Sequence, residues 1–266
     1  MISPEFFFNA CKDEGVDFFS GVPDSLLKNI CSFITDNTPL ENHIIAANEG
    51  NALAIGIGYH LSTGKTPLIY MQNSGLGNVI NPLLSLADQD VYSVPLLMMI
   101  GWRGEPGIKD EPQHKKQGRV TVALLEAMEI PYKVLTADSN IEEVEEALKV
   151  MLSTTREENK PCALLIKKGL FEEYKYQSDV SYERPLYREQ AIEIVVDSLN
   201  KADIVVSTTG VASRELFEYR EKLNAGHKKD FLTVGGMGHS SQIALGIALQ
   251  KKDRNVYCLD GDGSLI

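Results

Sequence analysis

Asn255-Val256-Tyr257-Cys258-Leu259-Asp260 runs directly into Gly261-Asp262-Gly263-Ser264, an apolar strand delivering a glycine-rich turn. That order places polar residues at the C-terminal end of a strand, where ligands bind in open α/β sheets. In such a turn glycine lets the backbone approach a ligand, free N–H groups serve phosphate oxygens, and a carboxylate serves a divalent cation. Taken alone, the string is more often a surface turn than a cofactor site. Its weight comes from the rest of the chain, where the same unit of strand and polar turn recurs.

Residues 1–170 alternate short apolar runs with amphipathic stretches, the pattern of a parallel sheet covered on both faces. Ser3 and Pro4 open a helix that Gly15 closes, and residues 16–20 form a strand entering Gly21-Val22-Pro23-Asp24. Strands are expected at 44–47, 67–71, 95–101, 132–135 and 162–166, with helices at 49–62 and 141–157. The long stretch from Trp102 to Gly118 reads as a loop. Residues 171–187 lose periodicity and read as a linker. A second series then follows over 188–266, with helices at 189–199, 213–222 and 242–249 and strands at 204–207, 231–234 and 256–259. The fold class expected is therefore two doubly wound parallel-sheet α/β domains, the second incomplete because its last strand has no covering helix after it.

Composition narrows the function. The 266 residues carry 26 basic and 37 acidic side chains, a formal charge of -11, which disfavours nucleic acid as a partner. No apolar run approaches the roughly 20 residues of a membrane helix, and the first residues lack a signal-peptide pattern, so a cytoplasmic location is expected. Cys11, Cys31, Cys162 and Cys258 are scattered with no CxxC pair, which suggests reduced, mostly buried thiols rather than zinc ligands or disulfides.

Polar and glycine-rich segments concentrate at the expected strand ends: Gly21-Val22-Pro23-Asp24-Ser25, Asn48-Glu49-Gly50-Asn51, Asn73-Ser74-Gly75-Leu76-Gly77-Asn78, Gly101-Trp102-Arg103-Gly104, Ser207-Thr208-Thr209-Gly210, Gly235-Gly236-Met237-Gly238-His239, and the terminal turn. In this order and combination they resemble the thiamine diphosphate (ThDP) dependent decarboxylases over essentially the whole chain. Within that superfamily the resemblance is greatest to the phosphonopyruvate decarboxylases, and the sulfopyruvate decarboxylases share much of it.

The resemblance implies a pyrimidine-binding domain over 1–170, part of a diphosphate-binding domain over 188–266, and a homo-oligomer, at least dimeric, with its active site at the subunit interface. It implies ThDP and Mg2+ as cofactors and a small 2-oxo acid as substrate, 3-phosphonopyruvate yielding phosphonoacetaldehyde and CO2 in phosphonate biosynthesis. Glu49 matches the glutamate that hydrogen-bonds the cofactor's pyrimidine ring and assists its activation. Asp262 matches the magnesium ligand, and Met237 the apolar residue beneath the bent cofactor. Asn73, Gly75, Thr209, Gly210, Gly236, Gly261, Gly263 and Ser264 match cofactor-binding positions. Asp24 and His114 are candidates for proton transfer. Ser25 and Arg103, with Asp24 and His114, are candidates for substrate binding, and Lys115 and Lys116 are further cations in the same expected loop. Family members continue beyond the Gly-Asp-Gly-Ser turn, where an asparagine supplies another magnesium ligand. The expectation is therefore a truncated decarboxylase, with sulfopyruvate as alternative substrate, or an inactive or split fragment needing a C-terminal partner.

Overall fold

The structure, a computed structural model, describes residues 1–177 and 185–265. It divides into two compact units, 1–178 and 179–266. The stretch 178–184 of the linker expected over 171–187 lies outside the described residues. Residues nearer its start lie along the first unit, where the Tyr174 hydroxyl and the Gln177 N–H both donate to Asp36.

The first unit follows the order α1 (Pro4–Asp13), β1 (Phe19–Gly21), α2 (Lys28–Asn37), β2 (His43–Ile45), α3 (Glu49–Thr63), β3 (Leu68–Gln72), α4 (Leu76–Pro82), β4 (Leu97–Gly101), α5 (Pro112–Ala127), β5 (Tyr132–Leu135), α6 (Ile141–Glu158) and β6 (Cys162–Ile166). Its six strands pair in parallel in the order β2-β1-β3-β4-β6-β5. Strand side chains alternate between two cores, as a sheet covered on both faces requires. Leu68, Tyr70, Leu97, Met99, Cys162 and Leu164 face α1, α2 and α6. Ile69, Met71, Met98, Ile100, Ala163 and Leu165 face α3, α4 and α5.

Local chemistry sets the helix starts. The Ser3 hydroxyl accepts from the Phe6 N–H at 3.0 Å with Pro4 in the first turn, and Asn48 caps α3 by accepting from the Asn51 N–H at 3.0 Å. Two expectations need correction. Residues 102–118 are not one loop: α5 begins at Pro112, so His114, Lys115 and Lys116 stand on its first turns. Gly118, read as a loop glycine, lies inside that helix because a Cβ there would meet the Gly104 carbonyl oxygen at 1.8 Å. In addition, α2 intervenes between Asp24 and the second strand, and residues 73–78, read only as a polar segment at a strand end, coil into a short 3-10 turn and the start of α4.

The second unit comprises α7 (Arg188–Ser198), β7 (Ile204–Ser207), α8 (Val211–Lys222), β8 (Asp230–Leu232), α9 (Ser240–Gln250), β9 (Val256–Leu259) and the single turn α10 (Asp262–Leu265). Its parallel sheet has the order β8-β7-β9. Ile192, Val196 and Leu216 of α7 and α8 pack on Val205, and α9 runs along β9 and β7. Cys11, Cys31 and Cys162 are buried free thiols, whereas Cys258 is exposed. Among the described residues no helix is long and apolar enough to cross a membrane.

Candidate functional site

In the first unit β1 leads into α2 on one face of the sheet, while the adjacent β3 leads into α4 on the other. The neighbouring strand ends therefore diverge and open a crevice at the switch point. Asp24 sits there. One carboxylate oxygen accepts from the Leu26 and Leu27 N–H groups at 3.1 and 3.3 Å, and the other accepts from Gln72 Nε2 across the crevice at 2.5 Å. The Asp24 side chain is buried beside Gly101, where a Cβ would come within 2.4 Å of it. Burial pushes its carboxyl above the ordinary range, against the pull of the Gln72 amide and the two backbone donors.

Glu49 is the first residue of α3 and is buried. One carboxylate oxygen accepts from Asn78 Nδ2 at 2.6 Å, and the other has no hydrogen-bond partner among the described residues. Its side chain lies directly over Gly75, where a Cβ would approach the Glu49 carboxyl to 2.4 Å. Gly75 thus supplies the clearance that lets this carboxylate stand where it does. Asn73, expected as a cofactor-binding residue, is engaged within its own chain. It is buried, donates to the Arg103 carbonyl at 2.9 Å and to the Thr121 hydroxyl at 2.8 Å, and accepts from the Arg103 N–H at 3.0 Å. Both its amide protons are spent on its own chain, so it ties the end of β3 to the end of β4 and to α5.

Arg103 is brought to the same edge. Its Nε and Nη2 donate to the two Asp110 oxygens at 2.8 and 2.6 Å, and Nη1 donates to the Ser25 hydroxyl at 2.8 Å. The guanidinium holds the Asp110 carboxyl well below the usual carboxylate range. His114 stands on α5 with a buried Nδ1 that lacks a partner among the described residues. Burial first, and Arg103 second, push its pKa down, so the ring is neutral around pH 7. Asp24, Ser25, Arg103 and His114 therefore form one cluster, while Lys115 and Lys116 are exposed on α5. Gln72, Asn78 and Asp110 complete the arrangement and were not singled out as functional from the sequence. Asn78 was within reach there, an amide-bearing residue closing the Asn73–Asn78 segment; Asp110 carried no such signal.

In the second unit three strand ends converge. The Thr208 N–H donates to the Leu259 carbonyl at 2.8 Å, the Thr208 and Ser264 hydroxyls meet at 3.0 Å, and the Thr233 hydroxyl donates to the Ser207 carbonyl at 2.8 Å. This stitching joins Thr209-Gly210, Gly236-Met237-Gly238 and Gly261-Asp262-Gly263 at one edge. Gly210 (φ +95) precedes α8, and Gly236 (φ +68) and Gly238 (φ +89) flank Met237, backbone angles open to glycine and costly for other residues. Met237 is half exposed rather than part of a core. Nothing lies within 4 Å of a Cβ at Gly210, Gly261 or Gly263, so these backbones are accessible.

This donor set fits a magnesium diphosphate. The Asp262 carboxylate is exposed, with one oxygen accepting from the Gly263 N–H at 2.9 Å. Asp260 carries a buried oxygen without a hydrogen-bond partner among the described residues. Hard oxygen donors in small number beside open backbone suit Mg2+, which takes one or two carboxylates and completes its shell with phosphate and water.

Comparison with known proteins agrees with this geometry. The family described as "Thiamine pyrophosphate enzyme, N-terminal TPP binding domain" matches residues 4–125, and "Thiamine pyrophosphate enzyme, C-terminal TPP binding domain" matches 209–266. A phosphonopyruvate decarboxylase of Streptomyces viridochromogenes is 32% identical over 95% of this chain and 64% of its own length. Another, of Streptomyces hygroscopicus, is 31% identical over 100% of this chain and 67% of its own. The sulfopyruvate decarboxylase subunit alpha of Methanocaldococcus jannaschii is 37% identical over 63% of this chain and 94% of its own. The chain thus spans about two thirds of the length of the two phosphonopyruvate decarboxylases.

Proposed function

We propose, for a chain that belongs to the thiamine pyrophosphate enzymes, that the whole protein decarboxylates 3-phosphonopyruvate to phosphonoacetaldehyde and CO2. The observation that carries this reading is the buried Glu49 carboxylate, held by Asn78 and given its clearance by Gly75. Bound ThDP supplies an electron sink for the pair freed when a 2-oxo acid loses CO2. Glu49 would hold the pyrimidine, its unpartnered oxygen being free to accept or share a proton there. Thr209, Gly210, Gly236, Gly261, Gly263 and Ser264 would cradle the diphosphate, Asp262 would ligate Mg2+, and Met237 would support the cofactor from below.

On the substrate side, Asp24 is suited to carry a proton. Its raised pKa brings protonated and ionised forms closer in population near neutral pH than for an exposed carboxyl. The neutral His114 ring is suited to accept or relay a proton, and Arg103 and Ser25 offer donors to an anionic group. The proposed setting is a cytoplasmic homo-oligomer in phosphonate biosynthesis, with the site at a subunit interface.

Sulfopyruvate is the second reading, favoured by the likeness to a sulfopyruvate decarboxylase subunit alpha. That subunit also supports an arrangement in which a separate chain completes the diphosphate-binding part. Turnover of the two substrates at matched concentration by the full-length protein discriminates between them. For the role of Glu49, Glu49→Gln is expected to keep the fold and lose most turnover; wild-type rates in that variant would sink the assignment.

A further inference from the structure

We propose that the cavity of about 320 Å³ beside the Arg103–Asp110 pair is the subsite for a dianionic tetrahedral head group, the phosphonate of the substrate. Resting on the decarboxylase reading above, this inference adds Lys109 and Lys168 as its specificity-determining residues and Asp110 as a positioning residue. The cavity opens among the segments that follow β1, β4 and β6, on the same sheet edge as Asp24, and is lined by Ser25, Arg103, Lys109, Asp110 and Lys168 among others.

Its charge balance points to an anion. The two acidic walls are already satisfied. Asp110 accepts two guanidinium bonds from Arg103 and the N–H groups of Gly104 and Glu111. Glu105 accepts an ion pair from Lys167 at 2.5 Å. Lys109 and Lys168, by contrast, have no ion-pair or hydrogen-bond partner among the described residues, although they come from separate segments and line one cavity. Two unpaired, exposed cationic side chains from separate segments thus border one cavity, and an anion held there would be attracted by both. Arg103 adds to this. Of its five N–H donors, Nε, one on Nη2 and one on Nη1 are spent on Asp110 and Ser25, so one on each Nη nitrogen remains. Asp110 fixes the plane of the guanidinium, which then presents that spare edge without searching for it. A fully ionised phosphonate, with two charges and three acceptor oxygens, can use both ammonium groups and the guanidinium edge; a sulfonate brings the same shape with one charge.

Binding of methylphosphonate and methanesulfonate to the full-length protein, followed calorimetrically in mildly alkaline buffer where the phosphonate carries both charges, tests this directly. Wild-type protein is expected to bind methylphosphonate at least about tenfold more tightly than methanesulfonate. Lys109→Gln/Lys168→Gln is expected to weaken methylphosphonate by about tenfold per lysine. Both lysines are exposed, so the double variant is expected to keep the wild-type melting temperature. Equal affinity of wild type and double variant, no binding by wild type, or equal affinity for the two probes would each overturn the subsite. Release of CO2 from phosphonopyruvate is measured separately. Lysine-dependent methylphosphonate binding without that turnover supports the subsite and overturns the decarboxylase reading instead.

Discussion

Gly75→Ala separates where the Glu49 carboxylate stands from whether it is present. Gly75 has φ -73° and ψ -12°, an ordinary right-handed helical conformation. Alanine adopts it without strain and would by itself stabilise the chain by about 0.4–1 kcal/mol through the unfolded state. The perturbation is therefore purely one of space. The new methyl carbon would stand 2.4 Å from Cγ, Cδ and Oε1 of Glu49, so the carboxylate must retreat by roughly 1 Å to reach van der Waals contact, a displacement that can cost about 100-fold in rate. The 2.6 Å bond from Asn78 does not survive such a shift with good geometry. Overpacking costs about 1–3 kcal/mol, partly offset by the alanine gain, so the fold persists. The full-length variant is expected to melt within a few degrees of wild type, bind ThDP more weakly, and lose about two orders of magnitude in kcat/KM. Steady-state decarboxylation, calorimetric titration with ThDP and Mg2+, and a thermal melt measure the three quantities. A variant with near wild-type kcat/KM and ThDP affinity would refute the idea that Glu49 acts from this position.

Asp24→Asn is expected to raise stability and lower turnover. Burial raises the folded-state pKa of Asp24, so ionisation opposes folding at neutral pH, and the new amide can keep the Leu26 and Leu27 bonds while the Gln72 amide turns over to accept; a lower melting temperature than wild type at pH 7 would contradict this. Asp110→Asn probes the opposite sign: Arg103 lowers the Asp110 pKa, so the stabilisation is fully present above the unfolded carboxylate value of about 3.9 and fades below it. Urea titrations should show the wild-type advantage over this variant shrinking from pH 6 to pH 3, and a constant difference would argue that the pair is not ionic. Gly118→Ala is expected to destabilise by about 1–3 kcal/mol or more despite better helix propensity, because its Cβ would meet the Gly104 and Arg103 carbonyl oxygens at 1.8 and 2.7 Å; an unchanged unfolding midpoint would overturn that close backbone approach.

The parallel α/β architecture was legible because each buried strand of the first unit is a short apolar run ending in glycine or polar residues. Pattern alone located strands at 132–135, 162–166, 204–207 and 256–259, where the structure has β5, β6, β7 and β9. Three helices of the first unit, α2, α4 and α5, were missed, two of them for identifiable reasons. The residue before α2 is Leu27, which provides no side-chain cap; Asp24 instead serves its neighbourhood from further upstream. The glycine of α5 hid that helix, since Gly118 is there for the passing Gly104 backbone and not for a turn.

The candidate site shows the same division more sharply. A glycine motif announces that something approaches the backbone closely, without naming what. Gly75 was legible as a site position, yet its neighbour in the structure is the Glu49 side chain. Asn73 was legible as part of a functional segment, yet its amide is consumed by Arg103 and Thr121, 30 and 48 residues away. Such partners are set by strand order: β3 lies between β1 and β4, which brings Gln72 to Asp24 and Asn73 to Arg103. The Arg103–Asp110 clamp is harder still to read, because both residues sit in an irregular segment where no 2.0 or 3.6 period constrains which side chains meet. Sequence motifs thus locate the edge on which chemistry is expected, while the carboxylate that aims Arg103 and the lysines that share its cavity become visible only when the segments after three different strands are brought together.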